Sequence, residues 1–422
     1  MAEASTERWK NGSQLSVIDG VPISVKEDIP VEGYSCTCGT TFVPNCVTKL
    51  GKTSLTVQKL VDDGAIIIGL TNMPRLGCNS VGSCENNVHG QPRNPHNTNF
   101  FSGGSSSGCA VSVAAGLCPI SVGGDGEGSG RVPAAVCGVY ALKCTHGLMS
   151  TDVESYGSLF SFSVKSPLTS SPFDLAVYIE AVCDKKSALD FTVLSESLSS
   201  LSGLTIGVYS DWMENADKET VVVFKDAIEK MKRLGAEVKD IKIPELEEIR
   251  VAHTITSVTE LSSIMGEDVT NHFSELGPGA ILISVMGRCF SAIESTNAMK
   301  QRTRTIKALK SIFTEVDVIA TPTAGCPIPR ITPEYLTVHG AFDGEAIGKL
   351  ETFTFLASFT GLPAITIPVG LLGENLPVGL QLIAPWYHDL DLIKYALAIE
   401  DSGTFPRPNP DKSYDIIKTA SH

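Results

Sequence analysis

Short apolar runs alternate with longer segments of helical periodicity along nearly the whole chain. Val21–Val25 is a short apolar run, Ala65–Leu70 is a continuous apolar run of strand length, and Leu204–Val208 is also predicted to be a strand. The segment Lys218–Leu234 carries apolar residues at helical spacing, and Gly235 follows it as a C-cap. Such alternation is typical of proteins in which helices cover a sheet. We therefore predict an α/β fold with α/β/α layers around a large mixed, mostly parallel sheet.

The same pattern continues towards the C-terminus without a shift in composition that would mark a domain boundary. A chain of 422 residues allows two domains or one large unit. We predict a single domain over residues 19–422, preceded by a loose tail over residues 1–18. Further strands are predicted at Pro119–Val122, Val139–Leu142, Val238–Ile243, Val316–Ala320, Ala364–Val369 and Val378–Ile383.

The composition limits the class of protein. Apolar residues make up 42% of the chain and charged residues 19%, which is enough to bury a sizeable core. The net charge of −14 argues against nucleic-acid binding, which needs clustered Lys and Arg. The twelve cysteines contain no CxxC pair, so we expect buried thiols in a reducing compartment. With no apolar signal core at the N-terminus, the chain is predicted to be intracellular, and a peripheral membrane contact stays open.

Two loops rich in glycine and serine, over residues 103–108 and 123–130, each precede a helical stretch. Glycine lets the backbone approach a ligand closely, and successive N–H groups in such a turn can bind an anion. A phosphate-binding loop would need a following Lys, which neither loop has. The first loop also fits the G-x-S-x-G nucleophile motif, with His388 as the base in chain order, but a polar segment precedes it instead of a buried strand. Plain flexible loops are the simplest alternative.

Lys26 distinguishes these alternatives, because it ends an apolar strand upstream of both loops. The strand ending in Lys26, the loop around Ser105 and the loop Asp125–Arg131 with Ser129 together resemble the amidase-signature family. Ser105 and Ser129 are separated by 24 residues, as in that family's pattern. The resemblance extends from about residue 18 to about residue 400.

The resemblance implies a catalytic triad of Lys26, Ser105 and Ser129. Ser129 would be the nucleophile, Ser105 would relay its proton, and Lys26 would act as a neutral base. A lysine in water has a pKa of about 10.4, and burial can lower such a value by several units. The resemblance further implies an oxyanion hole formed by the backbone N–H groups of Gly126, Glu127, Gly128 and Ser129. It implies no metal and no cofactor.

Within the family, the sequence is most similar to the plant-type fatty acid amide hydrolases. The matching segments include Gly39–Thr41, Pro92–His96 and Pro244–Glu248. They imply a small-molecule substrate such as an N-acylethanolamine, and they are compatible with a homodimer. Small aryl or indole amides are an alternative. A glutaminase component of a tRNA amidotransferase is another, and it would need partner subunits.

The sequence departs from the family pattern in the loop that must support Ser129. Glu127 stands where relatives carry Gly, Gly130 replaces a branched residue, and Arg75 stands where relatives usually carry an acid. A non-glycine residue in the left-handed region costs about 1–2 kcal/mol, and an inward carboxylate would repel an oxyanion. We therefore expect Glu127→Gly to raise the rate if this carboxyl damages the hole. A weakened or inactive homologue that binds amides is the second hypothesis.

Overall fold

A computed structural model describes residues 1–43, 52–83, 86, 88–149, 159–184, 186, 189–194, 200–336, 340–405 and 407–414. Within these residues one sheet of ten strands runs through the molecule, in the order β2-β1-β3-β5-β4-β9-β10-β8-β6-β7. The strands are β1 Pro22–Lys26, β2 Ile66–Thr71, β3 Ile120–Asp125, β4 Tyr140–Lys143, β5 Val164–Thr169, β6 Thr205–Val208, β7 Glu237–Asp240, β8 Val318–Pro322, β9 Ala364–Leu372 and β10 Leu376–Ile383.

Helices connect and cover these strands. They are α1 Ala2–Lys10, α2 Leu55–Asp62, α3 Ser107–Ala114, α4 Arg131–Cys137, α5 Pro172–Val182, α6 Ser210–Met213, α7 Lys218–Arg233, α8 Leu246–Met265, α9 Asp268–Asn271, α10 Pro278–Cys289, α11 Ala292–Ile312, α12 Gly344–Leu350, α13 Phe355–Thr360 and α14 Asp389–Asp401. Short 3₁₀ turns lie at Arg75–Gly77, Phe191–Leu194, Phe273–Glu275, Pro333–Leu336 and Gly373–Asn375. None of the described helices is long and apolar enough to cross a membrane.

The predicted α/β fold with a mixed sheet is confirmed, but parallel pairs do not dominate the sheet. Parallel pairing joins β1 to β2 and β3 at one end, and β6 to β7 and β8 at the other. The pairs between them, from β3 through β5, β4, β9 and β10 to β8, are antiparallel. The β9–β10 connection shows the reason, since only the short turn Gly373–Asn375 separates these strands, and a short turn permits antiparallel pairing alone.

The first eighteen residues differ from the expected loose tail. Residues Ala2–Lys10 form α1, and Arg8 pairs with the buried Asp19 through two hydrogen bonds of 2.6 Å. The indole N–H of Trp9 donates to the backbone oxygen of Asp19 at 2.7 Å. Because Asp19 lies three residues before β1, these contacts attach the N-terminal helix to the segment that leads into this strand.

The parallel end of the sheet places the catalytic candidates. Strands β1 and β3 are adjacent and parallel, with Val25 opposite Val122. Their carboxyl ends, Lys26 and Asp125, therefore open towards the same side of the sheet. Ligand sites in sheets of this kind form beyond the carboxyl ends of parallel strands.

Candidate active site

Lys26 lies at the end of β1, and only 3% of its side chain is exposed. Its Nζ is 2.9 Å from the Oγ of Ser105 and 2.9 Å from Oδ2 of Asp28. The Lys26 amine therefore contacts both a hydroxyl and a carboxyl group. The sequence did not predict a role for Asp28, which is only two residues from Lys26.

Ser106 joins the two glycine-serine loops. Its backbone N–H donates to the backbone oxygen of Ser129 at 3.0 Å. Its hydroxyl donates to the oxygen of Gly124 at 3.0 Å and accepts from the N–H of Gly124 at 3.2 Å. As a result, Ser105 and Ser129 line the same cavity, together with Lys26. The structure thus brings together the three residues of the predicted triad.

Asp125 and Arg131 form a fully buried pair at the base of the second loop. Oδ2 of Asp125 accepts from Nε of Arg131 at 2.8 Å, and Oδ1 accepts from a terminal guanidinium nitrogen at 2.9 Å. Burial disfavours the ionised carboxyl, but the Arg131 charge outweighs it and lowers the pKa of Asp125 below its ordinary value. Arg131 also donates to Gln381 and Ser358. Both carboxyl oxygens of Asp125 accept hydrogen bonds from Arg131 or from the backbone of the loop, so the pair holds the loop in place.

The same carboxyl changes the predicted oxyanion hole. The N–H of Gly128 donates to Oδ1 of Asp125 at 3.0 Å, so this donor is already used. The N–H groups of Gly126, Glu127 and Ser129 donate to no other group within the described part of the chain. Three of the four predicted donors therefore remain available, and Gly128 has a structural role. Its φ of +132° and a Cβ that would lie 2.7 Å from Oγ1 of Thr354 explain why this position needs glycine.

Glu127 does not behave as its sequence position suggested. Its φ lies outside the left-handed region, so the expected backbone strain is absent. Its carboxyl accepts a hydrogen bond from the hydroxyl of Ser257 in α8, and its backbone oxygen accepts one of 2.6 Å from Oγ1 of Thr354. Burial, together with the nearby carboxylate of Asp125, raises the pKa of Glu127 above its ordinary value. Glu351 lies close enough for Glu127 to contribute to its own strongly raised pKa.

The cavity beyond Ser129 has two kinds of wall. Its apolar lining comes from the segment after β1, the turn near residue 76, the segment before β5, the start of β5 and α8: Ile29, Leu76, Leu159, Phe160, Val164 and Leu261. Phe160 is 52% exposed, which places it at the mouth. Charged side chains besides Lys26 also line the cavity: Asp28, Asp125, Glu127 and Lys165. No group of three or more His, Cys, Asp or Glu side chains among the described residues is arranged to hold a metal ion.

The nucleophile motif that would use His388 does not fit the structure. His388 precedes α14, its side chain is 55% exposed, and its Nδ1 pairs with Oδ2 of Asp391 at 2.7 Å. It does not line the cavity that contains Ser105. His96, in contrast, is buried in the core, and its Nε2 lies 3.0 Å from the backbone oxygen of Cys137. The basic side chain in contact with Ser105 is that of Lys26.

Sequence reasoning missed Ser257, Thr354 and Glu351, the residues that surround Glu127. They lie 130 or more positions downstream, in segments without glycine-rich or motif character. The only sequence signal for such partners was the carboxyl group of Glu127 itself, in a loop made mostly of small residues. A carboxyl group buried in a protein needs polar partners.

Comparisons with known proteins find relatives in both sequence and fold. The profile of the family described as Amidase matches residues 1–393. The chain is 34% identical over 438 residues to a fatty acid amide hydrolase of Medicago truncatula, covering 99% of this chain and 70% of that protein. It is 32% identical over 432 residues to a component of the glutamyl-tRNA(Gln) amidotransferase of Protochlamydia amoebophila, covering 94% and 85%. A crystal structure of an amidase matches with a TM-score of 0.81 at 26% identity, covering 94% of this chain and 88% of that one.

Proposed function

Since the chain belongs to the amidase family and is a hydrolase that acts on linear amides, we propose that it cleaves its substrate through an acyl-enzyme on Ser129. The observation that carries this proposal is the 2.9 Å contact between Nζ of Lys26 and Oγ of Ser105, in a cavity that also contains Ser129. A buried amine next to a hydroxyl can accept a proton through that hydroxyl.

The proposed reaction has two steps. Oγ of Ser129 forms a bond to the amide carbon while its proton passes to Ser105, and the Ser105 proton passes to Lys26. The backbone N–H groups of Gly126, Glu127 and Ser129, which have no partner among the described residues, stabilise the tetrahedral oxyanion. The carbon–nitrogen bond then breaks, and the amine leaves with the relayed proton. Water attacks the ester by the same route and releases the acid.

Labelling with a fluorescent fluorophosphonate tests the nucleophile and the activity together. The Ser129 oxygen would form a bond to phosphorus while the phosphorus–fluorine bond breaks and fluoride leaves. Mapping the labelled peptide should identify the segment that contains Ser129. Absence of labelling, with amides bound and not turned over, would favour the alternative of an inactive amide-binding homologue. Labelling of another serine would overturn the assignment.

For the substrate, we propose a fatty acid amide such as an N-acylethanolamine. The support is the similarity to the Medicago truncatula enzyme and the apolar lining by Leu76, Leu159, Phe160 and Leu261. An acyl chain could pack on these side chains, and each buried methylene would contribute about 0.8 kcal/mol. The expected result is a kcat/KM that rises with acyl chain length across a series of acylethanolamides.

The charged lining supports a second candidate substrate, a small aryl or indole amide with polar substituents. Asp28, Glu127 and Lys165 line the cavity beside the apolar residues, and such side chains can recognise polar groups. A panel of small aryl amides, measured beside the acylethanolamides, separates the two candidates. A flat response to acyl chain length together with faster turnover of aryl amides would favour the second.

A further inference from the structure

Of the two peptides that flank Glu127 in the Ser129 loop, one is held by hydrogen bonds at both its oxygen and its N–H. The peptide that joins Glu127 to Gly128 has its oxygen bound by Oγ1 of Thr354 at 2.6 Å and its N–H bound by Asp125 at 3.0 Å. The peptide that joins Gly126 to Glu127 supplies the Glu127 N–H, which donates no hydrogen bond within the described structure. The orientation of that N–H therefore depends on what holds residue 127 itself.

The Glu127 side chain supplies this additional attachment. Its carboxyl accepts a hydrogen bond from the hydroxyl of Ser257, which is 1% exposed and lies on α8. The two residues are 130 positions apart, so the contact joins the loop to a separate element of the fold. An attachment of this kind limits the rotation of residue 127, and a preorganised donor is what an oxyanion hole requires.

Helix α8 is itself fixed to the rim of the cavity. Glu260 accepts hydrogen bonds from the backbone N–H of Ser161, at 3.2 Å, and from its hydroxyl. Ser161 is next to Phe160 at the mouth, and Leu261 lines the cavity. Because Ser257 and Leu261 are one turn apart, one face of α8 contacts both the substrate space and the Ser129 loop.

We propose that Glu127 is a positioning residue, which holds the oxyanion-binding loop to α8 through Ser257. The proposal rests on the proposed function, because it concerns the loop that supports Ser129. It reverses the expectation that a carboxyl here damages the hole: the carboxyl contacts Ser257, and the loop depends on that contact. Glutamine at position 127 can accept the same hydrogen bond from Ser257 and should keep the loop in place, whereas alanine cannot accept it and should not.

The experiment compares Glu127→Gln, Glu127→Ala, Ser257→Ala and the double alanine variant by their rates of fluorophosphonate labelling. Loss of the contact should slow the labelling step about tenfold, as expected for one misplaced hydrogen-bond donor, and leave the half-saturating probe concentration unchanged. Glu127→Gln should retain the wild-type rate. The double variant should be no slower than either single variant, because both remove the same contact.

Ser262→Ala is the matched control, since Ser262 is a buried serine of the same helix that donates to the backbone of Ser284 instead. It should label at the wild-type rate. The proposal is overturned if Glu127→Ala is labelled as fast as the wild type, or if Glu127→Gln is labelled as slowly as Glu127→Ala. It is also overturned if the labelling rate of the double variant falls by the product of the two single fold-changes.

Hydrogen exchange of the loop provides a readout that does not need activity. Amides of residues 126–130 should exchange faster in Ser257→Ala than in the wild type and in Ser262→Ala. If the wild-type protein is not labelled at all, the proposed function fails, and the exchange result still decides whether the contact holds the loop. Equal exchange in all three proteins would refute the positioning role. Ser257→Ala also serves if Glu127→Ala does not fold.

Discussion

The Nζ of Lys26 lies 2.9 Å from the Oγ of Ser105, although the two residues are 79 positions apart. The contact forms because Lys26 ends β1 and Ser105 precedes α3, whose residues pack against β1 and β3. Ser106 then ties the Ser105 loop to Ser129. The chemistry proposed for this chain depends on these three connections, and the following predictions test them and the structure around them.

Substitution of the nucleophile should abolish hydrolysis. Ser129→Ala removes the only group proposed to form the acyl-enzyme, so both amide turnover and fluorophosphonate labelling should be lost. Turnover is measured by release of the amine, and folding is checked by circular dichroism. Ser163→Ala, which changes another serine of the cavity lining, is the control and should be labelled. Retained turnover in Ser129→Ala would contradict the mechanism.

Removal of the base should cost nearly as much as removal of the nucleophile. Lys26→Met should lower kcat by about 10⁴-fold or more, because removing one residue of a catalytic unit costs nearly as much activity as removing all of them. Combining Lys26→Met with Ser105→Ala should add little further loss. Lys239→Ala, on the exposed strand β7, is the matched lysine control and should leave kcat unchanged. A strictly multiplicative loss in the combined variant would argue against a shared proton relay.

The buried pair beneath the loop should be essential for stability. Arg131→Met leaves Asp125 as an uncompensated buried charge, which should reduce the free energy of unfolding by about 3–5 kcal/mol. Urea denaturation measures the loss, and Arg233→Met, at an exposed position near the end of α7, is the control. Asp125→Asn combined with Arg131→Met should lose less than the sum of the two single variants. Additive losses would show that the pair is not coupled.

Glu351 should make the stability depend on pH in a defined direction. Burial raises the pKa of Glu351 well above its ordinary value, and Glu127 adds to the shift. The folded state therefore binds this proton more tightly than the unfolded state, whose glutamate has a pKa of about 4.3. The stabilisation is fully present below that value and is lost as the pH rises through the folded-state pKa.

Glu351→Gln, which cannot ionise, should consequently gain melting temperature relative to the wild type as the pH rises from about 4.5 to about 8. Differential scanning calorimetry at several pH values measures this difference. Glu345→Gln, on α12 with 79% of the side chain exposed, should show no such trend. A constant difference between Glu351→Gln and the wild type across the range would contradict the prediction.

Most strands of the sheet could be predicted from the sequence, whereas β5 could not. Val164–Thr169 contains Lys165, Ser166 and Pro167, which are uncommon in a central strand, yet every residue of it is buried between β3 and β4. Strand β5 is stabilised by its pairing with β3 and β4, which the pattern of its own side chains does not indicate. The expectation of mostly parallel pairing was wrong because, apart from the β9–β10 hairpin, the antiparallel pairs join segments that are not consecutive strands or are separated by long connections. Contacts between such segments are not visible in the local sequence pattern.

The sequence by itself determined most helices, most strands and the catalytic candidates Lys26, Ser105 and Ser129, because periodicity and motif spacing are local properties of the chain. Only the tertiary structure decided how those candidates are supported. It placed Asp28 beside Lys26, gave the Gly128 N–H to Asp125 and turned the Glu127 carboxyl towards Ser257. The Thr354 and Ser257 contacts join residues that are 227 and 130 positions apart, so packing, and not local pattern, sets their geometry.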